Sequence, residues 1–140
     1  DGQRRPGNNM WVLDASAVLA FLHGEPGADA VSEALLDVSV VSAANWAEIL
    51  SKFSDEGEDP DTIAGRLESE GVLFSGLEVL PVTAVDARMI ARLRPLARSG
   101  GLSLGDRACL ALALRLGYGV LTADRQWANL DLGLEIIMIR

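Results

Sequence analysis

Five short apolar runs, at residues 10–13, 38–41, 78–82, 119–122 and 135–139, limit what this chain can fold into more than any other feature. They are rich in Val, Ile and Leu and alternate poorly with polar residues, which suits strands covered on both faces. Helical patterns lie between them. Residues 16–23 read as a short helix ended by Gly24, and 28–36 follow Pro26-Gly27. Residues 43–53 start after Ser42, a suitable cap, and 61–73 carry Ile63 and Leu67 at helical spacing. Val85, Met89, Ile90 and Leu93 form a stripe behind a Thr83 cap. Residues 104–116 are apolar nearly all round, which predicts a buried helix. A short helical turn is expected after Asp124, and the segment 95–102, with Ser99-Gly100-Gly101, is expected to be the most flexible loop. Strands alternating with helices imply an α/β fold. It has a central parallel sheet of about five strands, right-handed crossovers and helices on both faces, hence three layers.

The length of 140 residues fits one domain and no linker divides it. Residues 1–9 are polar and patternless, and are expected to be a tag remnant or a disordered tail ahead of a single domain at 10–140. No apolar stretch is long enough to span a bilayer. The one cysteine, Cys109, excludes an intrachain disulfide and sits in the apolar helix as a small buried hydrophobe.

The net charge of −8 argues against simple electrostatic attraction to nucleic acid. Its distribution weakens that objection. Residues 1–70 hold 14 acids and 4 bases, a net of −10, whereas residues 71–140 hold 6 acids and 8 bases, a net of +2. Of the 12 bases 11 are arginine, the side chain best suited to bidentate phosphate contact. The acidic run at 55–61 reads as a solvated loop.

Four acids occupy the positions where such a fold does chemistry. Asp14 closes the first strand and Asp124 the fourth, while Glu48 and Asp106 fall early in helices. Ligands of open α/β sheets bind at the carboxyl ends of the strands. Carboxylates converging there repel unless a cation joins them, and an all-oxygen set favours Mg²⁺ or Mn²⁺. Each acid also has a structural reading. Asp14 can cap the helix near Ser16, Ser103 and Asp106 fit an S-x-x-D capping box, Glu48 and Lys52 fit an (i, i+4) pair, and Asp124 can cap the turn holding Trp127. Capping alone gives no reason for all four to meet.

Val12-Leu13-Asp14-Ala15-Ser16, Trp46-Ala47-Glu48, the run from Ser103 through Asp106 to Ala113, and Leu121-Thr122-Ala123-Asp124-Arg125 resemble the successive motifs of PIN-domain proteins. The similarity is greatest to the VapC-type toxins of bacterial toxin–antitoxin pairs, and it covers residues 10–140. The resemblance implies a PIN-like sandwich and a Mg²⁺- or Mn²⁺-dependent endoribonuclease. It implies Asp14, Glu48, Asp106 and Asp124 as catalytic and metal-binding acids, with Ser16 and Thr122 as accessory polar residues. It further implies an RNA substrate, a VapB-like antitoxin, a homodimer, a cytoplasmic location and no membrane association. A short amphipathic antitoxin segment would lie in an apolar groove near the helices containing Ile63 and Leu67, a groove that the sequence does not itself locate.

Other residues are assigned more openly. Arg88 and Arg92, one helical turn apart, and then Arg94 and Arg98, are either a solvated basic face or phosphate contacts. Arg107 and Arg125 adjoin two of the acids and are either substrate contacts or partners that hold the carboxylates. Trp11 and Trp46 are expected in the core, whereas Trp127 is a candidate for base stacking. His23, the only histidine, is expected at a helix C-terminus and outside the chemistry. Two alternatives remain at this point. A Mg²⁺-dependent phosphatase or phosphotransfer domain would also gather acids, although Ser16 stands where a D-x-D pattern needs its second Asp. A catalytically silent PIN-like interaction module would need no acids at all.

Overall fold

Trp11 and Leu13 serve one face of a sheet and Val12 the other, because side chains alternate along a strand. The structure, a computed structural model, describes residues 9–73 and 76–140, apart from the side chains of 98–100. Its elements run β1 (Met10–Leu13), α1 (Ala15–Leu22), α2 (Ala28–Leu35), β2 (Val38–Ser42), α3 (Ala43–Asp55), α4 (Pro60–Ser69) and β3 (Leu77–Leu80). Then follow α5 (Ala84–Arg92), α6 (Arg94–Gly100), α7 (Leu104–Leu116), β4 (Gly119–Thr122), a 3-10 helix (Arg125–Asn129) and β5 (Ile136–Met138). Every strand pair is parallel, in the order β3-β2-β1-β4-β5. The expected three-layer α/β fold is therefore the one observed.

One layer joins Trp11, Leu13, Val41 and Leu121 to α1, α2, α3 and α4 through Val18, Val31, Ile49, Phe53, Ile63 and Leu67. The other joins Val12, Val40 and Val120 to α6 through Leu96 and to α7 through Leu110, Leu112 and Ala113, with Trp127 entering from the 3-10 helix. All residues of α7 from Arg107 to Ala113 are buried, and from Ala108 onward their unbroken apolar character requires it.

Strand order reverses between β1 and β4. The chain steps outward from β1 to β2 and β3, then crosses back to lay β4 on the opposite side of β1. The crevice at such a reversal is where open α/β sheets hold ligands. Asp14 follows β1 and Asp124 follows β4, so two of the expected acids stand at that crevice.

Several boundaries differ from expectation for local reasons. The helix expected at 61–73 stops at Ser69, where Glu70 caps it and Gly71 takes φ 77. The third strand ends at Leu80 because Pro81 has no N–H to give the ladder. The loop expected at 95–102 is instead largely helix α6: Pro95 sits in its first turn, where a missing N–H costs nothing, and Leu96 and Ala97 pack on the core. Of the expected tail, residues 1–8 lie outside the described residues. Asn9 is already tied in, since its carbonyl accepts from Val38 N–H at 3.2 Å.

Candidate functional site

Asp14 is the most buried of the four candidate acids. It is 4% exposed, and its position as N-cap of α1 turns its carboxylate back over the end of the sheet. Oδ1 accepts from Ser16 Oγ at 2.7 Å and from the Ala17 N–H at 2.8 Å, and Oδ2 accepts from Thr122 Oγ1 at 2.5 Å. The two hydroxyls also tie in the end of β4. Ser16 Oγ accepts from the Ala123 N–H at 2.9 Å and Thr122 Oγ1 from the Asp124 N–H at 3.0 Å. Each hydroxyl thus gives its hydrogen to Asp14 and takes one from the backbone. This locks β1 to β4 across the reversal.

Burial raises the Asp14 pKa from 3.8 to about 6, against the lowering effect of the Thr122, Ser16 and Ala17 hydrogen bonds. The negative charge of Asp106 adds to the rise. Asp106 occupies the third position of α7. There its Oδ2 accepts from the Ser103 N–H at 2.9 Å while its own N–H donates to Ser103 Oγ at 3.1 Å. The predicted capping box is therefore formed, and from it the Asp106 charge still acts on Asp14.

Glu48 is exposed on α3. The expected pair with Lys52 does not form among the described residues. Glu48 Oε1 accepts instead from Asn45 Nδ2 at 2.8 Å, and the same amide nitrogen donates to the Gly105 carbonyl at 3.0 Å. Glu48 lies over Gly105 so closely that a Cβ there would stand 2.5 Å from both carboxylate oxygens. Burial drives the Cys109 thiol well above its ordinary range, and the charges of Asp14, Asp106 and Glu48 push it further. Those three acids therefore share one environment around the first turns of α7. Asp124 stands apart from these three: its carboxylate caps the 3-10 helix by accepting from the Gln126 N–H at 3.0 Å, and only its backbone N–H connects to Asp14, through the Thr122 hydroxyl.

Among the described residues no three acidic, histidine or cysteine side chains stand close enough to hold one cation as they are. The donor chemistry still fits a hard divalent ion. All candidate ligands are carboxylates, and Mg²⁺ keeps several waters and uses only one or two protein carboxylates together with phosphate oxygens. The raised Asp14 pKa comes mainly from burial, with a small addition from the Asp106 charge, and a cation there would favour the ionised form.

The PIN domain family model matches residues 11–132. The chain belongs to the PIN domain family. No curated protein sequence matches it. Among solved structures, FitAcB from Neisseria gonorrhoeae is similar at 20% identity and TM-score 0.69, covering 93% of this chain and 98% of that one. The DNA-bound VapBC from Salmonella typhimurium is similar at 19% identity and TM-score 0.68, covering 94% and 98%. VapBC-5 of the VapBC family of toxin-antitoxin systems from Mycobacterium tuberculosis is 28% identical, with TM-score 0.56, covering 94% and 98%.

In this PIN domain the arginines divide. Arg107 is 6% exposed and its Nη1 donates to the Ile90 carbonyl at 2.9 Å. The expectation of a phosphate or carboxylate contact is corrected here: Arg107 pins α7 to α5. Arg125 is exposed beside Asp124. Arg88 and Arg92 are exposed on α5 and line, with Arg115, Met89 and Leu114, a groove of about 320 Å³. None of the four acids lines that groove. Arg94 is also exposed, and the Arg98 side chain lies outside the described residues.

Trp127 is fully buried, so it is a core residue and not a stacking platform. Trp11 is fully buried and Trp46 half-buried against the same core, as expected. Ile63 and Leu67 are both 1% exposed and belong to the core. His23 caps the C-terminus of α1, with its ring edge-on to Phe53 at 5.4 Å.

Sequence reading missed Asn45 and Gly105. Two signals for them exist. N-x-x-E on a helix places Asn45 and Glu48 on one face, and a glycine inside an otherwise strong helix calls for a packing reason.

Proposed function

We propose that this PIN domain is a Mg²⁺- or Mn²⁺-dependent endoribonuclease that hydrolyses RNA phosphodiester bonds and acts as the toxin of a toxin–antitoxin pair. The observation that carries the reading is Asp14. It is a buried carboxylate with a raised pKa at the reversal point of the sheet, close enough to feel the charge of Asp106 and tied through Thr122 to the Asp124 backbone N–H. Asp14, Glu48, Asp106 and Asp124 would hold the cation. When bound, it supplies charge stabilisation at phosphorus and lowers the pKa of an attacking water.

The chain's own residues do the rest. Thr122 and Ser16 fix the orientation of Asp14 by donating to both its oxygens. Ser103 fixes Asp106 through its backbone N–H, and Asn45 fixes Glu48. Arg125, beside the acids, is the nearest candidate for a phosphate contact. Arg88 and Arg92 would meet only a longer RNA. The toxin role is supported by the likeness to VapBC-5, and with it come a VapB-like antitoxin partner, a homodimer and action in the cytoplasm. Among the described residues no helix is long and apolar enough to cross a membrane.

The test is incubation of purified protein with cellular RNA in Mg²⁺ or Mn²⁺, beside EDTA and beside Asp14→Asn, with the new RNA ends sequenced. Discrete metal-dependent ends are expected from the wild type. They should fall by orders of magnitude in folded Asp14→Asn, because a metal ligand and its charge are lost. Undiminished cleavage by Asp14→Asn places the chemistry elsewhere. Absence of cleavage across many RNAs leaves a silent interaction module.

A further inference from the structure

Asn45 lies in the first turn of α3 and is 1% exposed. Its Nδ2 has two hydrogens and two acceptors, Glu48 Oε1 at 2.8 Å and the Gly105 carbonyl at 3.0 Å. Turning the amide over would set its oxygen against both acceptors, so chemistry fixes which atom faces them. Its Oδ1 is buried with no partner among the described residues. An apolar residue would fill the space without that orphan, so packing alone does not explain an amide here.

What the amide does explain is Glu48. An exposed glutamate on a helix needs no hydrogen-bond partner and ordinarily samples many rotamers. Two separate features hold this one in place. The Asn45 amide grips one oxygen, and the missing side chain at Gly105 opens the space in which the carboxylate lies. The Gly105 hydrogen bond ties the grip to the helix turn that carries Asp106.

We propose that Asn45 is a positioning residue, presetting the Glu48 carboxylate against the first turn of α7 for the divalent cation. This rests on the metal-dependent reading above. Groups that orient metal ligands typically change affinity about 10- to 100-fold when removed.

The experiment uses RNA-free protein and Mn²⁺ alone, with free Mn²⁺ followed by electron paramagnetic resonance and thermal melts recorded on the same samples. Asn45→Leu keeps the volume and removes the donor. Asn45→Ser keeps one donor. Mn²⁺ affinity is expected to fall about 10-fold or more in Asn45→Leu and by less in Asn45→Ser. A lower metal-free melting temperature with unchanged Mn²⁺ affinity in both variants overturns the inference, because a purely structural link between α3 and α7 would give that result. If Asn45→Leu does not fold, the Asn45→Ser affinity decides alone: a wild-type value overturns the inference and a weaker one supports it. Failure of the wild type to bind Mn²⁺ overturns the metal-dependent reading itself, and the inference with it.

Discussion

Thr122 donates its hydroxyl hydrogen to Asp14 Oδ2 at 2.5 Å, although 108 residues separate them in the chain. The contact is fully buried on the Thr122 side and links the ends of β1 and β4. Thr122→Val keeps the branched shape and removes the donor. A hydrogen bond to a charged group contributes about 1.5–3 kcal/mol, so the melting temperature at neutral pH should drop measurably. The Asp14 pKa should rise further, moving the acidic limb of the activity profile to higher pH. A variant with wild-type stability and pH profile would show that the hydroxyl does not hold Asp14.

Asp14 binds its proton more tightly in the folded chain than in the unfolded one, since its pKa rises from 3.8 to about 6. Its contribution to stability is fully present below pH 3.8 and is lost as pH rises through about 6. At about 1.4 kcal/mol per pH unit, the loss is about 3 kcal/mol. A divalent ion binding the ionised site opposes that loss, by about 2.7 kcal/mol at 100 times its Kd. Melts in EDTA across pH 4–8 should therefore decline relative to melts in Mg²⁺, with the two curves parting most above pH 6. Identical curves at metal levels that support cleavage would remove Asp14 from the metal site.

Arg107 and Arg125 flank two of the acids in sequence but have different environments. Arg107→Met leaves the Ile90 carbonyl without its donor and should cost about 1–3 kcal/mol of stability, with little change in RNA affinity once folded. Arg125→Ala should leave stability within about 0.5 kcal/mol and weaken RNA binding, with a shallower salt dependence. Binding isotherms at two salt concentrations, set beside melts, separate the two. The reverse pattern would mean that Arg107 swings outward to meet RNA.

That contrast also marks what the sequence could convey. The five strands and their alternation with helices were legible because burial on both faces leaves runs of Val, Ile and Leu. Asp14 and Asp124 were legible because chain position fixes them at strand ends. The capping box of Asp106 was legible too, and it is formed as expected. The inward turn of Arg107 and the burial of Trp127 were not, since each depends on a distant partner: the Ile90 carbonyl for one, the β4 face of the core for the other. Helix α6 was misread because Ser99-Gly100-Gly101 outweighed the packing of Leu96. The Asn45 contact with Gly105 crosses 60 residues, and no local pattern records it.

Gly105 separates stability from function more cleanly than any other position. It lies in the first turn of α7, in a helical conformation open to other residues, and glycine there costs about 1 kcal/mol relative to alanine. A Cβ at 105 would stand 2.5 Å from both Glu48 oxygens, with no backbone atom among its nearest contacts. Glu48 is exposed, so it can swing out into water, giving up its hydrogen bond from Asn45. Gly105→Ala should therefore fold with a melting temperature close to that of the wild type while losing the Glu48 position. Cleavage should fall about 10-fold or more, in line with the loss of a metal-orienting contact. Doubling the change with Glu48→Gln should cost little beyond Glu48→Gln alone, because both act on one carboxylate. Melting temperature and single-turnover cleavage on the four proteins of that cycle check it. A Gly105→Ala protein with full activity would mean that Glu48 works from a different position than the one it holds here.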